Sequence, residues 1–180
     1  MSDSREGLQY LFKTKNNYTF AVSGTGHAGM ECALVNLLER GDVFLVVEIG
    51  IWGKRAADLG SRMGATVHTV TAPHGQAVEK EAIEENSEVI AAFKALAKYK
   101  PAVLFVCHGE SSTGVRQPLD GLGEACARHG TILLVDTVAS IGGAEFRMDE
   151  WGVDCVYAAT QKVLNAPPGL APISFSDRAM

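Results

Sequence analysis

The sequence has 180 residues, 47% hydrophobic and 21% charged, with 21 acidic against 16 basic side chains and a formal net charge of -5. That balance excludes a disordered or fibrous chain and predicts one soluble layered domain with a sizeable core. It also excludes the basic stripe that nucleic-acid binding requires, and no apolar run approaches the roughly 20 residues of a membrane span.

The polar opening MSDSREG has no hydrophobic core of a signal peptide. Residues 18–23 (YTFAVS) then form a short run rich in β-branched and aromatic residues, which predicts a strand. It leads into a glycine-rich stretch and into Met30, Ala33, Leu34, Leu37 and Leu38 at helical spacing. Gly24, Gly26 and Gly29 match G-x-G-x-x-G, and Glu48 closes the next strand-like run, 43–48 (VFLVVE), about 20 residues later. At face value this is a dinucleotide fingerprint. The question is whether the loop serves two phosphates or one.

Trp52 follows in GIWG, where Gly50 and Gly53 permit a loop that presents an aromatic face, or a core tryptophan that anchors the next helix. Residues 66–70 (TVHTV) predict a third strand. The stretch AVEKEAIEENSEVIAAFKALAKYK, with Ile83, Ile90, Phe93 and Leu96, predicts an outer-face helix without a functional role. Residues 102–107 (AVLFVC) predict a strand, and HGESSTG after it places Ser111 and Ser112 where they can donate hydrogen bonds or form a turn. The hydrolase elbow G-x-S-x-G is missed there, because Thr113 occupies its last glycine position.

Leu122, Ala125 and Cys126 have helical spacing, and residues 131–136 (TILLVD) and 154–158 (DCVYA) predict two further strands. The alternation of strand and helix, with several strands apolar throughout, predicts an α/β fold: a three-layer αβα sandwich around a mostly parallel central sheet. No repeat or linker divides residues 1–180. In such sheets ligands bind beyond the carboxyl ends of the strands.

Two residues stand at such ends. Asp136 closes TILLVD, where taken alone it reads as a cap or turn aspartate. Lys162 follows CVYAATQ and precedes the rigid NAPPG, where taken alone it reads as a surface lysine. Together they fit a lysine that forms a Schiff base with pyridoxal phosphate and an aspartate that keeps the ring nitrogen protonated. Desolvation and neighbouring positive charge would make that amine nucleophilic near neutral pH. Cys32, Cys107, Cys126 and Cys155 form no C-x-x-C pair and fit a reducing compartment, and the five histidines have no metal-ligand spacing.

At SGTGH, GIWG, HGESSTGV, QPLDG, LLVDTVASIGG and TQKVLNAPPG the sequence resembles the alanine–glyoxylate (serine–pyruvate) aminotransferase family of fold-type I pyridoxal-phosphate enzymes. The resemblance runs along nearly the whole chain except about residues 73–100. It implies that Lys162 holds the cofactor covalently and shuttles a proton, while Asp136 pairs with the pyridine nitrogen. It further implies that Trp52 stacks on the ring, that Ser111 bonds near its phenolic oxygen, and that Thr25, Gly26 and His27 bind the phosphate with help from Gln161. One phosphate then suffices for the glycine loop, and Glu48 has no part.

The implied reaction is a ping-pong transfer between small amino acids and 2-oxo acids: alanine (or serine) donates and glyoxylate (or pyruvate) accepts. The resemblance also implies a homodimer, a peroxisomal location with mitochondrial or cytosolic alternatives, and a longer parent chain. Residues 1–180 would then be an incomplete large domain, inactive without a small C-terminal domain and its carboxylate-binding arginine. Three other readings stay open: a lyase or desulfurase on the same cofactor, a dinucleotide-dependent oxidoreductase, and a non-catalytic piece of a larger enzyme.

Overall fold

The structure, a computed structural model, describes residues 2–78 and 91–180. Helix α1 (Ser2–Phe12) precedes strand β1 (Tyr18–Ser23), and then come α2 (Gly26–Leu37), β2 (Val43–Glu48), α3 (Ile51–Met63) and β3 (Thr66–Thr71). Helix α4 (Ala91–Tyr99), β4 (Val103–Cys107), the short hairpin β5 (Gly109–Glu110) and β6 (Val115–Arg116), α5 (Leu122–His129), β7 (Ile132–Asp136), β8 (Cys155–Tyr157) and β9 (Leu170–Phe175) follow. Seven strands form one sheet in the order β1-β9-β8-β7-β4-β2-β3. It is parallel from β3 to β8, whereas β9 runs antiparallel to both β8 and β1.

Successive residues of a strand point to opposite sheet faces, so an uninterrupted apolar run feeds two cores at once. Leu45, Val47, Leu104, Val106, Leu133 and Val135 join Phe12, Leu96, Leu122 and Cys126 on the side of α1, α4 and α5. Phe44, Val46, Val103, Phe105, Leu134 and Tyr157 join Met30, Ala33, Leu34 and Ala56 on the side of α2 and α3. The three-layer α/β architecture and its mostly parallel sheet are therefore as the sequence predicts.

Three differences matter. Strand β9 escapes sequence reading, because Pro172 argues against an interior strand. Its carbonyl accepts from the Ala158 amide at 2.8 Å, just past the end of the β8 ladder. Within an antiparallel strand a residue's N–H and C=O point the same way, so the missing N–H also falls there and the pairing of Pro172 with Ala21 on β1 loses nothing. Second, α1 also escapes, since after the polar SDSREG its apolar stripe is only Leu8, Leu11 and Phe12 at the end of the helix. Third, of the two readings of Trp52 the loop is not met: it lies in the first turn of α3, half-buried against the core as the helix-anchoring reading has it, while its ring also lines the cleft. The helix predicted around Ile83, Ile90, Phe93 and Leu96 is met by α4, with Leu96 fully buried; Ile83 and Ile90 lie outside the described residues. No helix among the described residues is long and apolar enough to cross a membrane.

Candidate active site

The carboxyl ends of β1, β4, β7 and β8 surround one cleft, with about 600 Å³ of open space, lined among others by Thr25, Gly26, His27, Trp52, Ser111, Asp136, Gln161 and Lys162. All eight residues singled out in the sequence thus meet at one place.

The glycine loop forms the first wall. Gly24 has φ +150°, a conformation that favours glycine, and it hands the chain to α2. At Gly26 a Cβ would stand 2.8 Å from a Val138 methyl, so only a glycine lets the helix start this close to the loop after β7. Thr25 is the N-cap of α2 but makes no side-chain cap hydrogen bond. The first amides of a helix have no intrahelical acceptor, and their dipoles favour an anion. Gln161 adds a buried side-chain oxygen without a hydrogen-bond partner; a half-turn of the amide would present its NH2 donors instead. His27 turns toward Glu31 at 3.6 Å.

Asp136 forms the floor. It is 3% exposed at the end of β7, where its Oδ1 accepts from the Val138 amide at 2.8 Å and its Oδ2 from the Tyr157 hydroxyl at 2.6 Å. The bond to Val138 is the turn-forming contact that sequence reading offers as the plain explanation, and the cleft-facing position adds to it. Burial raises its pKa to about 6, against the lowering effect of the two hydrogen bonds and with a small further push from Glu110.

The opposite wall joins α3 to the β5–β6 hairpin. The Trp52 indole N–H donates to Ser111 Oγ at 2.9 Å, so the ring is held by the serine next to it in the site. Glu110, 1% exposed, accepts from the Trp52 amide at 3.0 Å, from the Ser112 amide at 2.9 Å and from the Ser112 hydroxyl at 2.6 Å. A Cβ on Gly50 would stand 2.4 Å from that carboxyl, which explains the glycine ahead of α3. Ser112 therefore serves the turn, and the hairpin has no strand-to-helix elbow of the kind a nucleophilic serine needs.

Lys162 stands on the far rim, in the irregular segment between β8 and β9. Thr160 pins that segment through its hydroxyl to the Pro167 carbonyl at 2.7 Å, and the Asn165 amide returns to the Lys162 carbonyl at 2.9 Å. The side chain is exposed, so these residues alone do not supply the desolvation predicted for it. Glu48 lies off the cleft, 3.9 Å from Lys54.

The comparisons with known proteins decide the family. The aminotransferase class-V family matches residues 1–180. The chain belongs to it. Class-V aminotransferases similar to this chain include the alanine–glyoxylate aminotransferase of Callithrix jacchus, 52% identical over 99% of this chain and 41% of its own length. The (S)-ureidoglycine–glyoxylate transaminase of Bacillus subtilis is 36% identical over 99% of this chain and 41% of its length. Among solved class-V structures, the alanine–glyoxylate aminotransferase from Nostoc sp. superposes with a TM-score of 0.92 at 43% identity, covering 99% of this chain and 45% of that one. The chain spans less than half the length of these relatives.

Two buried residues that hold the cleft walls escape sequence reading. Tyr157 sits in an apolar run and reads as core. Glu110 sits in a polar hairpin and reads as solvated, yet it is 1% exposed, holds three hydrogen bonds and lies 2.4 Å from where a Gly50 Cβ would stand. Glu110→Ala would leave the Trp52 amide and both Ser112 donors without their acceptor. A loss of about 2–4 kcal/mol is expected, together with an altered tryptophan emission spectrum as the indole comes loose. Urea unfolding followed by fluorescence checks both.

Proposed function

We propose that this chain is the cofactor-binding large domain of a pyridoxal-phosphate-dependent transaminase that moves an amino group from alanine, or serine, to glyoxylate, or pyruvate. The observation that carries the reading is Asp136: a carboxylate at the floor of the cleft, raised to about 6 by burial, is a group that a cation placed over it would stabilise. The other walls fit the same ligand. The uncapped start of α2 suits a phosphate, and the Gln161 amide has hydrogen-bonding capacity to spare.

When bound, pyridoxal phosphate supplies an aldehyde that takes up the amino group and a ring that withdraws electrons. The chain's residues do the rest. Asp136 would hold negative charge toward the ring nitrogen. Trp52, locked by Ser111 and Glu110, offers a flat face. Lys162 carries the amine that would hold the cofactor, and its Nζ would take and return a proton. The names of the Callithrix and Bacillus relatives share glyoxylate and differ in the donor, which supports glyoxylate as the acceptor and glycine as its product. Family resemblance adds peroxisomal residence and a homodimer to the proposal.

Borohydride reduction of the purified protein with pyridoxal phosphate, followed by digestion and peptide mass, tests the reading. The expected label is on Lys162. A label elsewhere, none, or nicotinamide dinucleotide binding in its place overturns it.

A further inference from the structure

Tyr157 is fully buried at the end of β8, in register with Asp136 on β7. Its ring lies beneath α2, where a Cβ on Gly29 would approach its Cβ and Cδ2 to 3.2 Å. Packing on this scale needs only a flat ring, and phenylalanine would supply it. The hydroxyl has a different task, since it donates at 2.6 Å to the one carboxylate of the cleft floor.

We propose that Tyr157 is a positioning residue of the site: its hydroxyl fixes Asp136 Oδ2 and keeps the carboxylate charged where the ring nitrogen would sit. This rests on the reading of Asp136 as the partner of that nitrogen. A buried carboxylate left alone would take up a proton. Asp136 has two donors against that tendency, the Val138 amide at 2.8 Å and the Tyr157 hydroxyl at the shorter 2.6 Å. Tyr157 can hold this role at any ordinary pH, because burial and the neighbouring carboxylate push its own pKa well up and keep it a donor. The other titratable groups facing the pair are Glu110 from β5, Cys107 from β4 and Cys155 from β8, with His27 and Lys162 on the cleft wall. Both cysteines are held as thiols by burial, so Glu110 is the charge that opposes Tyr157 at Asp136.

The test uses the full chain, stripped of cofactor and then reloaded. Carbon NMR of labelled aspartate, assigned with Asp136→Asn, should give a midpoint for Asp136 near 6 in the unaltered protein. In Tyr157→Phe it should rise by about one unit or more. An unchanged midpoint in folded Tyr157→Phe overturns the proposal. Difluorotyrosine at position 157 leaves the packing in place and makes the phenol a stronger donor, so the midpoint should fall; if Tyr157→Phe does not fold, the absence of that fall overturns the proposal. In the reloaded protein, the resonance of a nitrogen-15-labelled cofactor ring should report a protonated nitrogen at pH 8 and a smaller protonated fraction in Tyr157→Phe. A ring resonance that ignores Asp136→Asn, beside the expected carboxyl shift, overturns the assignment of Asp136 to the ring and not the bond from Tyr157.

Discussion

In the complete enzyme of which this chain is proposed to be the large domain, Lys162→Ala is expected to abolish transamination, with turnover lowered by about 10³-fold or more, and to leave no cofactor on the protein after borohydride reduction. The size follows from two losses at one atom. Nζ is the only amine among the side chains that line the cleft, and on the proposed reading the same amine would also carry the proton. General acid–base catalysis alone contributes roughly 10²–10⁴-fold, and covalent attachment adds to it. Stability should hardly move, within about 0.5 kcal/mol, because the side chain is exposed and its segment is pinned by Thr160 and by backbone bonds that alanine retains. Turnover assays, peptide mass after reduction and thermal unfolding on one preparation separate a lost amine from a lost fold. Retained labelling in the variant would exclude Lys162 from its role.

The same chemistry shows where sequence is legible and where it stops. Runs such as VFLVVE and TILLVD announce their own burial on two faces, so the sheet and its helical layers can be read directly. Asp136 and Lys162 are legible for a related reason, since each ends an apolar run and so lies at the rim where an open α/β sheet binds ligands. Trp52 is readable either as a ring for the site or as the anchor of the next helix, and it serves both. Its flanking glycines look like breakers, yet they serve close packing: against Glu110 at Gly50, and against the β2 backbone at Gly53, where a Cβ would stand 2.8 Å from Glu48 Cα. Pro172 misleads in the same way, because the cost of a missing N–H depends on which neighbour it faces. Tyr157 and Glu110 are invisible for a different reason. Each acts through a partner far away in sequence, 21 residues for the bond from Tyr157 to Asp136 and 58 for that from Trp52 to Glu110, and no local pattern encodes such a pair.

Asp136→Asn is expected to divide stability from activity. In the folded chain Asp136 titrates near 6, against about 3.9 for an unperturbed aspartate. Its folded pKa is raised, so the folded state binds the extra proton between those values. The stabilisation is present in full below about pH 4 and is lost as the pH rises through 6, a swing of about 3 kcal/mol. The cofactor-free protein therefore carries an unfavourable buried charge at pH 8. Asparagine removes that charge and keeps the shape; its carbonyl can accept from the Val138 amide, and its NH2 can donate to the Tyr157 oxygen. Some geometry is lost in the exchange, so the variant should gain about 1–3 kcal/mol at pH 8 and nothing at pH 4. In the complete enzyme turnover should move the other way, falling by about 10²-fold or more, since no fixed negative charge would then face the ring nitrogen. Urea unfolding at the two pH values checks the first half, and steady-state assays with alanine and glyoxylate check the second. A variant less stable at pH 8 than the unaltered protein would mean that the charge on Asp136 is already balanced by this chain's own residues, and the cleft would then have no electrostatic reason to recruit a cation.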